Sequence, residues 1–426
     1  MRIASFFSIL FVFSCGLVCA QSNTNSPYSR FALGDLIHTT NINSTGMGGV
    51  GLSFTNQFSA NILNPSLLSR NNNTTIFDAG GLVERKVLTN NQGQQRDFGG
   101  NLSYMAFVFP LSRRSGMSLG FLPISKINYR SFSIEKDPNS NSFTQYIYTG
   151  SGGVTQLYAS VGYRVWRGLS LGAQAAYNFG LIKRQAESLV DEPGSLYTIE
   201  RLRRYNFGDV SMKMGLSYRQ KLKESLYANI GAVHSLESNL NASYLYALQR
   251  NSIVNGLTLV SDTITNAGDL SFTLPSSNSI GISIEKTLHY AIAIDFKTQD
   301  WSNFKGFDNQ DTLTSSYEWR VGGEWTPNFN ATTGYFRRAN YRLGFAQRFL
   351  PITVRGTQIQ ENSISFGISL PAIKPTDLYH SFSRVNLAFV LGQRGTLDNE
   401  LIRERFWRIH LGLNINQLWF LRRKYD

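Results

Sequence analysis

Two kinds of glycine spacing, five histidines and a set of alternating charges are the residues whose types and positions could do chemistry. Gly46-x-Gly48-x-x-Gly51 has the spacing that cradles a dinucleotide pyrophosphate, but that use needs a preceding strand and a following helix in one βαβ unit. Neither flank reads that way. The glycines are expected instead to permit a tight, positive-φ path inside a larger structure. Gly116-x-Ser118-x-Gly120 and Gly168-x-Ser170-x-Gly172 both match the nucleophile-elbow pattern. Each opens an amphipathic strand, and a wall lined with Gly and Ser produces the pattern without an elbow. A serine nucleophile would need a histidine close by. His38, His234, His289, His380 and His410 are not placed to serve either serine from a neighbouring strand. No His/Cys cluster has zinc-ligand spacing. The expectation is therefore a non-enzymatic chain with no cofactor and no metal. The charges differ in kind. Lys213, Arg219, Glu318, Arg320, Glu324, Arg342 and Arg408 all fall on the polar side of alternating segments. In a closed interior they are expected to pair with each other and with a plug; the alternative is a basic path for an anionic ligand.

The elements that position these residues follow from composition and periodicity. Arg2, the apolar run Phe6 to Val18 and the small residues before Gln21 read as a secretory signal peptide over residues 1–20. The run is too short to span a bilayer as a helix. Cys15 and Cys19, the two cysteines of the chain, both lie in that segment, which excludes a disulfide-stapled scaffold. Aromatics make up 13% and charged residues 16%, an unusual balance for a soluble surface and a suitable one for a lipid-facing wall with aromatic girdles. The formal charge of +13 is scattered rather than clustered, so a nucleic-acid partner is not expected.

From about Thr74 the chain alternates with period two. Leu169, Leu171, Ala173, Ala175, Tyr177, Phe179 and Leu181 share one face, opposite Ser170, Gly172, Gln174, Ala176, Asn178 and Gly180. Tyr317, Trp319, Val321 and Trp325 oppose Glu318, Arg320, Gly322 and Glu324 in the same way. The spacing predicts about 14 transmembrane strands within residues 74–420, near 74–89, 97–110, 117–136, 154–166, 169–184, 205–222, 225–244, 278–287, 289–301, 315–326, 340–350, 359–370, 382–394 and 404–418. The predicted fold class is all-β: a transmembrane antiparallel barrel in the outer membrane, with lipids and lipopolysaccharide around it. Short turns alternate with long connections at 185–204, 245–277 and 302–314, which puts the short turns in the periplasm. Pro327 to Ala339 and Pro371 to Ser381 are longer than that rule allows. Basic residues such as Arg113, Arg167, Lys221 and Lys286, and the tail 421–426 with Arg422, Arg423 and Lys424, fall on the periplasmic side.

Residues 21–73 lack the alternation and are read as a hatch, because a barrel of this size leaves a lumen that wall side chains cannot fill. Thr45-Gly-Met-Gly-Gly-Val-Gly51 followed by Asn61-Ile-Leu-Asn-Pro-Ser-Leu-Leu68 resembles the hatch of FadL-like outer-membrane barrels. That family pairs a Met-Gly-Gly-x-Gly turn with an Asn-Pro-Ala-x-Leu segment; Ser66 stands where Ala is usual. Asn25 to Asp35, Gly356-Thr-Gln-Ile, Phe366-Gly-Ile-Ser-Leu-Pro371, Leu391-Gly-Gln-Arg-Gly-Thr396 and Trp419 to Lys424 are similar to a Bacteroidota branch of it. The resemblance implies a plugged 14-stranded barrel, with Gly46, Gly48, Gly49, Gly51, Asn64 and Pro65 shaping the plug. It implies passive transport of hydrophobic or amphipathic small molecules, leaving sideways through a kink in the wall. The alternative is an accessory subunit of a secretion or barrel-assembly complex, with outer-membrane protein partners.

Overall fold

The computed structural model describes residues 24–56, 58–71, 74–136, 143–191, 197–252, 257–302, 304, 313–372 and 383–417. The expected signal peptide and basic tail lie outside the described residues, as do His380 and Lys374.

Residues 24–71 form an irregular body that carries one two-residue strand, β1 (Asp35–Leu36), and one helical turn, α1 (Ile42–Thr45). The wall follows. β2 (Thr75–Asn90), β3 (Gly93–Ser112), β4 (Ser115–Lys136), β5 (Phe143–Arg164), β6 (Leu169–Asp191) and β7 (Tyr197–Lys223) pair in sequence. β8 (Leu226–Ser235) runs on into β9 (Ser238–Ser252) as one span, and β10 (Thr258–Leu274) into β11 (Ser277–Lys286) as the next. β12 (Tyr290–Gln299), β13 (Ser316–Trp325), β14 (Asn340–Val354), β15 (Thr357–Pro371), β16 (Arg384–Arg394) and β17 (Arg403–Gln417) complete the circuit, and β17 pairs with β2. The result is a closed 14-strand antiparallel barrel.

Its faces are those the alternation requires. Ile292 is 59% exposed and Trp319 47%, whereas Glu318 and Arg320 are 3% and 5% exposed. With lipid outside, an exposed apolar residue costs nothing and an inward polar residue needs a partner.

Three expectations are corrected. Residues 225–244 are not one regular strand: the wall breaks at 236–237, and at 275–276 in the neighbouring span. The segments 185–204 and 245–277 are not long loops. Gln185 pairs with Leu202 and Ser188 with Ile199, while β9 and β10 form a ladder of their own. β4 has 22 residues, which at a tilt near 40° stands roughly 55 Å high against an apolar band of about 25 Å. Above lipid the outward face no longer has to be apolar, so the pattern fades while the pairing continues. The third long connection, 302–314, lies mostly outside the described residues.

Candidate functional site

The interior is the candidate site, and its centre is the chain from Thr24 to Asn71. Local chemistry fixes its shape. Asn41 caps α1, its Oδ1 accepting from the Ser44 N–H at 2.8 Å. Asn64 does the same for the 3-10 segment Pro65–Arg70, accepting from the Ser66 N–H at 3.1 Å and from Ser66 Oγ at 2.7 Å. Pro65 follows at the first helical position, where its fixed φ suits the turn. Asn64 Nδ2 also donates to the Leu52 carbonyl at 2.7 Å and to the Leu216 carbonyl of the wall at 3.2 Å. Gly48 and Gly49 have φ of +72° and +88°, which side chains rarely adopt.

Inward-facing glycines of the wall receive this body. A Cβ on Gly344 would stand 2.0 Å from the Gly48 nitrogen, and one on Gly322 2.1 Å from the Met47 carbonyl oxygen. Gly162, Gly172 and Gly215 face the Pro65 region in the same way, and Gly367 faces Gly46. The Gly-rich inner face is therefore a seat for backbone, not merely a hydrated lining. The two elbow-like serines belong to it. Ser170 Oγ hydrogen-bonds Ser69 Oγ of the hatch at 2.8 Å, and Ser118 Oγ lies 3.3 Å from the Tyr158 hydroxyl. Neither has a histidine among its hydrogen-bond partners in the described residues.

Charges bolt the body in place. Arg320 Nη1 donates to the Gly49 carbonyl at 2.8 Å and Nη2 to Glu318 at 2.7 Å. Asp295 accepts from the N–H groups of Gly51 and Leu52 at 2.8 and 3.0 Å. Lys213 Nζ donates to the Ile62 carbonyl at 3.1 Å. Arg342 binds Glu324 at 2.6 Å, Arg408 binds Glu84 at 2.7 Å and Arg219 binds Glu285 at 2.7 Å. Higher in the bore, Arg394 pairs with Asp35 of the hatch and with Glu361, while Arg348 joins Glu361 to Glu318. Ser26 Oγ donates to Glu404 at 2.6 Å and Thr24 Oγ1 to Glu84 at 2.5 Å. The structure thus brings all seven predicted lumen charges to the inner face and gives each a partner.

Asp35, Glu84, Glu361, Arg394 and Glu404 were missing from the expected set. Glu361 has the parity of Ser363 and Ser365, and Glu404 that of Arg408, so extending those two faces by one or two positions would have found them. Asp35 lies in the aperiodic segment and carried no signal.

The wall is not paired throughout. The β3–β4 ladder runs from Met105↔Phe121 to Ser112↔Ser115 and stops. Above it, residues 93–104 of β3 pair only with β2. The facing stretch of β4 pairs with β5 and, at Ser125 and Lys126, with β1 of the hatch. Hatch atoms line this opening: the Ser26 N–H donates to the Asn128 carbonyl and the Ile37 N–H to the Ile124 carbonyl, at 2.8 and 2.9 Å. A cavity of about 360 Å³ reaches it, with Leu102, Phe121 and Pro123 at the opening and Glu84, Arg394 and Arg408 at depth.

A closed 14-strand barrel with a plug in its lumen is the architecture of FadL-type outer-membrane proteins. The chain belongs to the BamG family, whose model matches residues 2–426. Among solved structures it is similar to the CymD monoaromatic hydrocarbon channel (TM-score 0.56, 16% identity, covering 88% of this chain and 97% of that one). It is similar also to the Ralstonia pickettii toluene transporter TbuX (0.56, 15%, 89% and 99%) and to a Pseudomonas aeruginosa FadL homologue (0.55, 13%, 90% and 99%). No curated protein sequence matches it. At such identities the likeness speaks for the fold, and activity must be argued from the interior.

Proposed function

We propose that this protein is a non-enzymatic subunit of a larger outer-membrane assembly, its barrel held shut by its own hatch. The observation that carries the reading is the ion-pair lattice joining Asp35 and the Gly49–Leu52 backbone to β12–β17. A conduit for apolar molecules needs an apolar path, and desolvated charges along the bore oppose one. Membership of the BamG family supports the same reading, as does the sequence resemblance to Bacteroidota barrels that serve in secretion or barrel assembly. The test is extraction in mild detergent followed by size-exclusion chromatography and mass spectrometry. A defined stoichiometric complex with other envelope proteins is expected; a lone monomer overturns the proposal.

The opening between β3 and β4 favours a second reading, passive passage of hydrophobic or amphipathic small molecules through the cavity behind it. Leu36 and Ser125 are directly opposed, as the Cα atoms of a disulfide must be. In Leu36→Cys/Ser125→Cys, oxidation would fix the hatch to the edge of the opening. Under the transport reading, uptake of a monoaromatic hydrocarbon into proteoliposomes falls at least about tenfold on oxidation and recovers on reduction, a change worth about 1.4 kcal/mol in the barrier. Under the subunit reading neither uptake nor complex recovery responds.

A further inference from the structure

The end of the lumen beside the short turns holds a cavity of about 670 Å³ with an unusual charge balance. Arg70 lines it from the hatch; Arg164, Arg219, Lys221 and Lys286 line it from β5, β7 and β11, and Arg167 from the turn between β5 and β6. Against these six cations stand Glu285 and Glu324, and Glu324 is already bound by Arg342 at 2.6 Å. Among the described residues lining the cavity, Glu285 alone therefore serves the cluster. Arg219 holds it at 2.7 Å, while Arg70 Nη1 stands 3.7 Å away. Arg70 Nη2 is satisfied by Asn229 at 3.0 Å, and Arg219 lies 3.7 Å over the Tyr227 ring, so both guanidinium groups are positioned in advance. Yet Arg70 Nη1 and Arg219 Nε, both buried, have no hydrogen-bond partner among the described residues. An excess of positive charge gathered around a largely buried guanidinium, that of Arg70, is relieved by an anion.

We infer that this mouth is a binding site for an acidic, extended peptide segment of a periplasmic partner. β4 to β7 overrun the apolar band at the opposite end, the side on which such barrels extend outward, so this mouth faces the periplasm. Arg70 sits behind the wall, where a lipid headgroup outside the barrel does not reach, so the ligand must come along the bore. The cations are spread over hatch, strands and turns, so one carboxylate cannot engage them and a run of carboxylates can. The inference deepens the subunit reading by naming the chemistry of the partner, and it rests on that reading.

The test uses the full chain in detergent micelles and a fluorescein-labelled peptide of alternating Glu and Ser, followed by anisotropy at physiological ionic strength. Saturable binding is expected. Arg167→Gln/Lys221→Gln, both on the exposed rim, should weaken it about tenfold, and Arg219→Gln at least as much. Lys136→Gln, at the opposite end of the barrel, should leave it unchanged. Absence of binding, equal weakening by Lys136→Gln, or full displacement by inorganic phosphate at the peptide's own concentration overturns the inference. So does displacement by phosphatidylglycerol vesicles but not by unlabelled peptide. A barrel that co-purifies in a complex but ignores the peptide defeats this inference alone. A solitary barrel that still binds the peptide defeats the subunit reading alone.

Discussion

The two arcs of the barrel wall hold the same hatch by different balances of charge and packing. β11 to β17, with β2, are 10 to 16 residues long and pair with both neighbours over most of their length. Their inner face presents Glu285, Asp295, Glu318, Arg320, Arg342, Glu361, Arg394 and Glu84, and they grip the hatch through ion pairs and N–H groups. β4 to β7 run to 22–27 residues and rise past the membrane. With β9 and β10 they present Ile127, Tyr129, Val154, Ile182, Tyr205, Phe207, Leu240 and Phe272, which pack on Ala32 and Leu33 of the hatch. Charge pairs are directional and lose heavily when one partner goes; apolar contacts are graded and tolerate repacking. The break in the wall falls at the edge of the apolar arc, between β3 and β4. The charged arc thus holds the hatch by ion pairs, and the apolar arc adds packing to its own hydrogen bonds from Lys213 and from the β1–β4 pairing.

The sharpest way to break this division is to remove an anchor. Arg394→Ala strands Asp35 in the bore and leaves Glu361 to Arg348, a loss of about 3–5 kcal/mol. The hatch should come free while the wall persists, read as new protease cleavage between residues 24 and 71 with the heat-modifiable gel shift of the barrel intact. Resistance equal to that of wild type would show that the lattice does not hold the hatch. On the other arc, Phe272→Ala removes a ring lying 5.4 Å from Phe207 and 6.0 Å from Tyr205, and should cost about 3 kcal/mol. Its effect should stay local, exposing the β9–β10 hairpin to protease and leaving the hatch protected. Hatch cleavage in this variant would contradict the proposed division of labour.

The glycine seat offers a smaller perturbation. Gly344→Ala drives a methyl into the Gly48 nitrogen, an overpacking cost of about 1–3 kcal/mol if the hatch yields. Gly93→Ala meets nothing within 4 Å and should be silent. Thermal denaturation of the two side by side decides whether inner-wall glycines hold the hatch or only accommodate curvature.

Much of this was legible in the sequence, for a definable reason. Lipid imposes one rule on every outward residue, so Ile364, Phe366 and Ile368 against Ser363, Ser365 and Gly367 declare both strand and face. The seven predicted charges followed by parity alone. What failed had no such rule behind it. The hairpins at 185–204 and 245–277 stand beyond lipid and lose their outward signature. The break at 236–237 leaves the count of strands unchanged, so no period registers it. Glu361, Arg394 and Asp35 meet only through the fold, since their positions span 359 residues of chain. The Gly-Ser patterns were visible, but their purpose depended on a partner, Met47 to Gly49 and Pro65 to Ser69, that shares no periodicity with the wall.

The smallest expected effect completes the contrast between buried and exposed charge. Arg355 and Glu400 make an ion pair of 2.5 Å, shorter than most in the bore, but their side chains are 57% and 73% exposed. Water already solvates both groups and salt screens them, so the close approach adds little. Arg355→Ala should therefore leave melting temperature, hatch protection and complex recovery at wild-type values, at low and high salt alike. A loss comparable to that of Arg394→Ala would mean that the loop ends beside β14 and β16 hold the barrel together. The charged interior would then lose its claim to be the anchor, because distance between charges, rather than their removal from water, would be setting the energy.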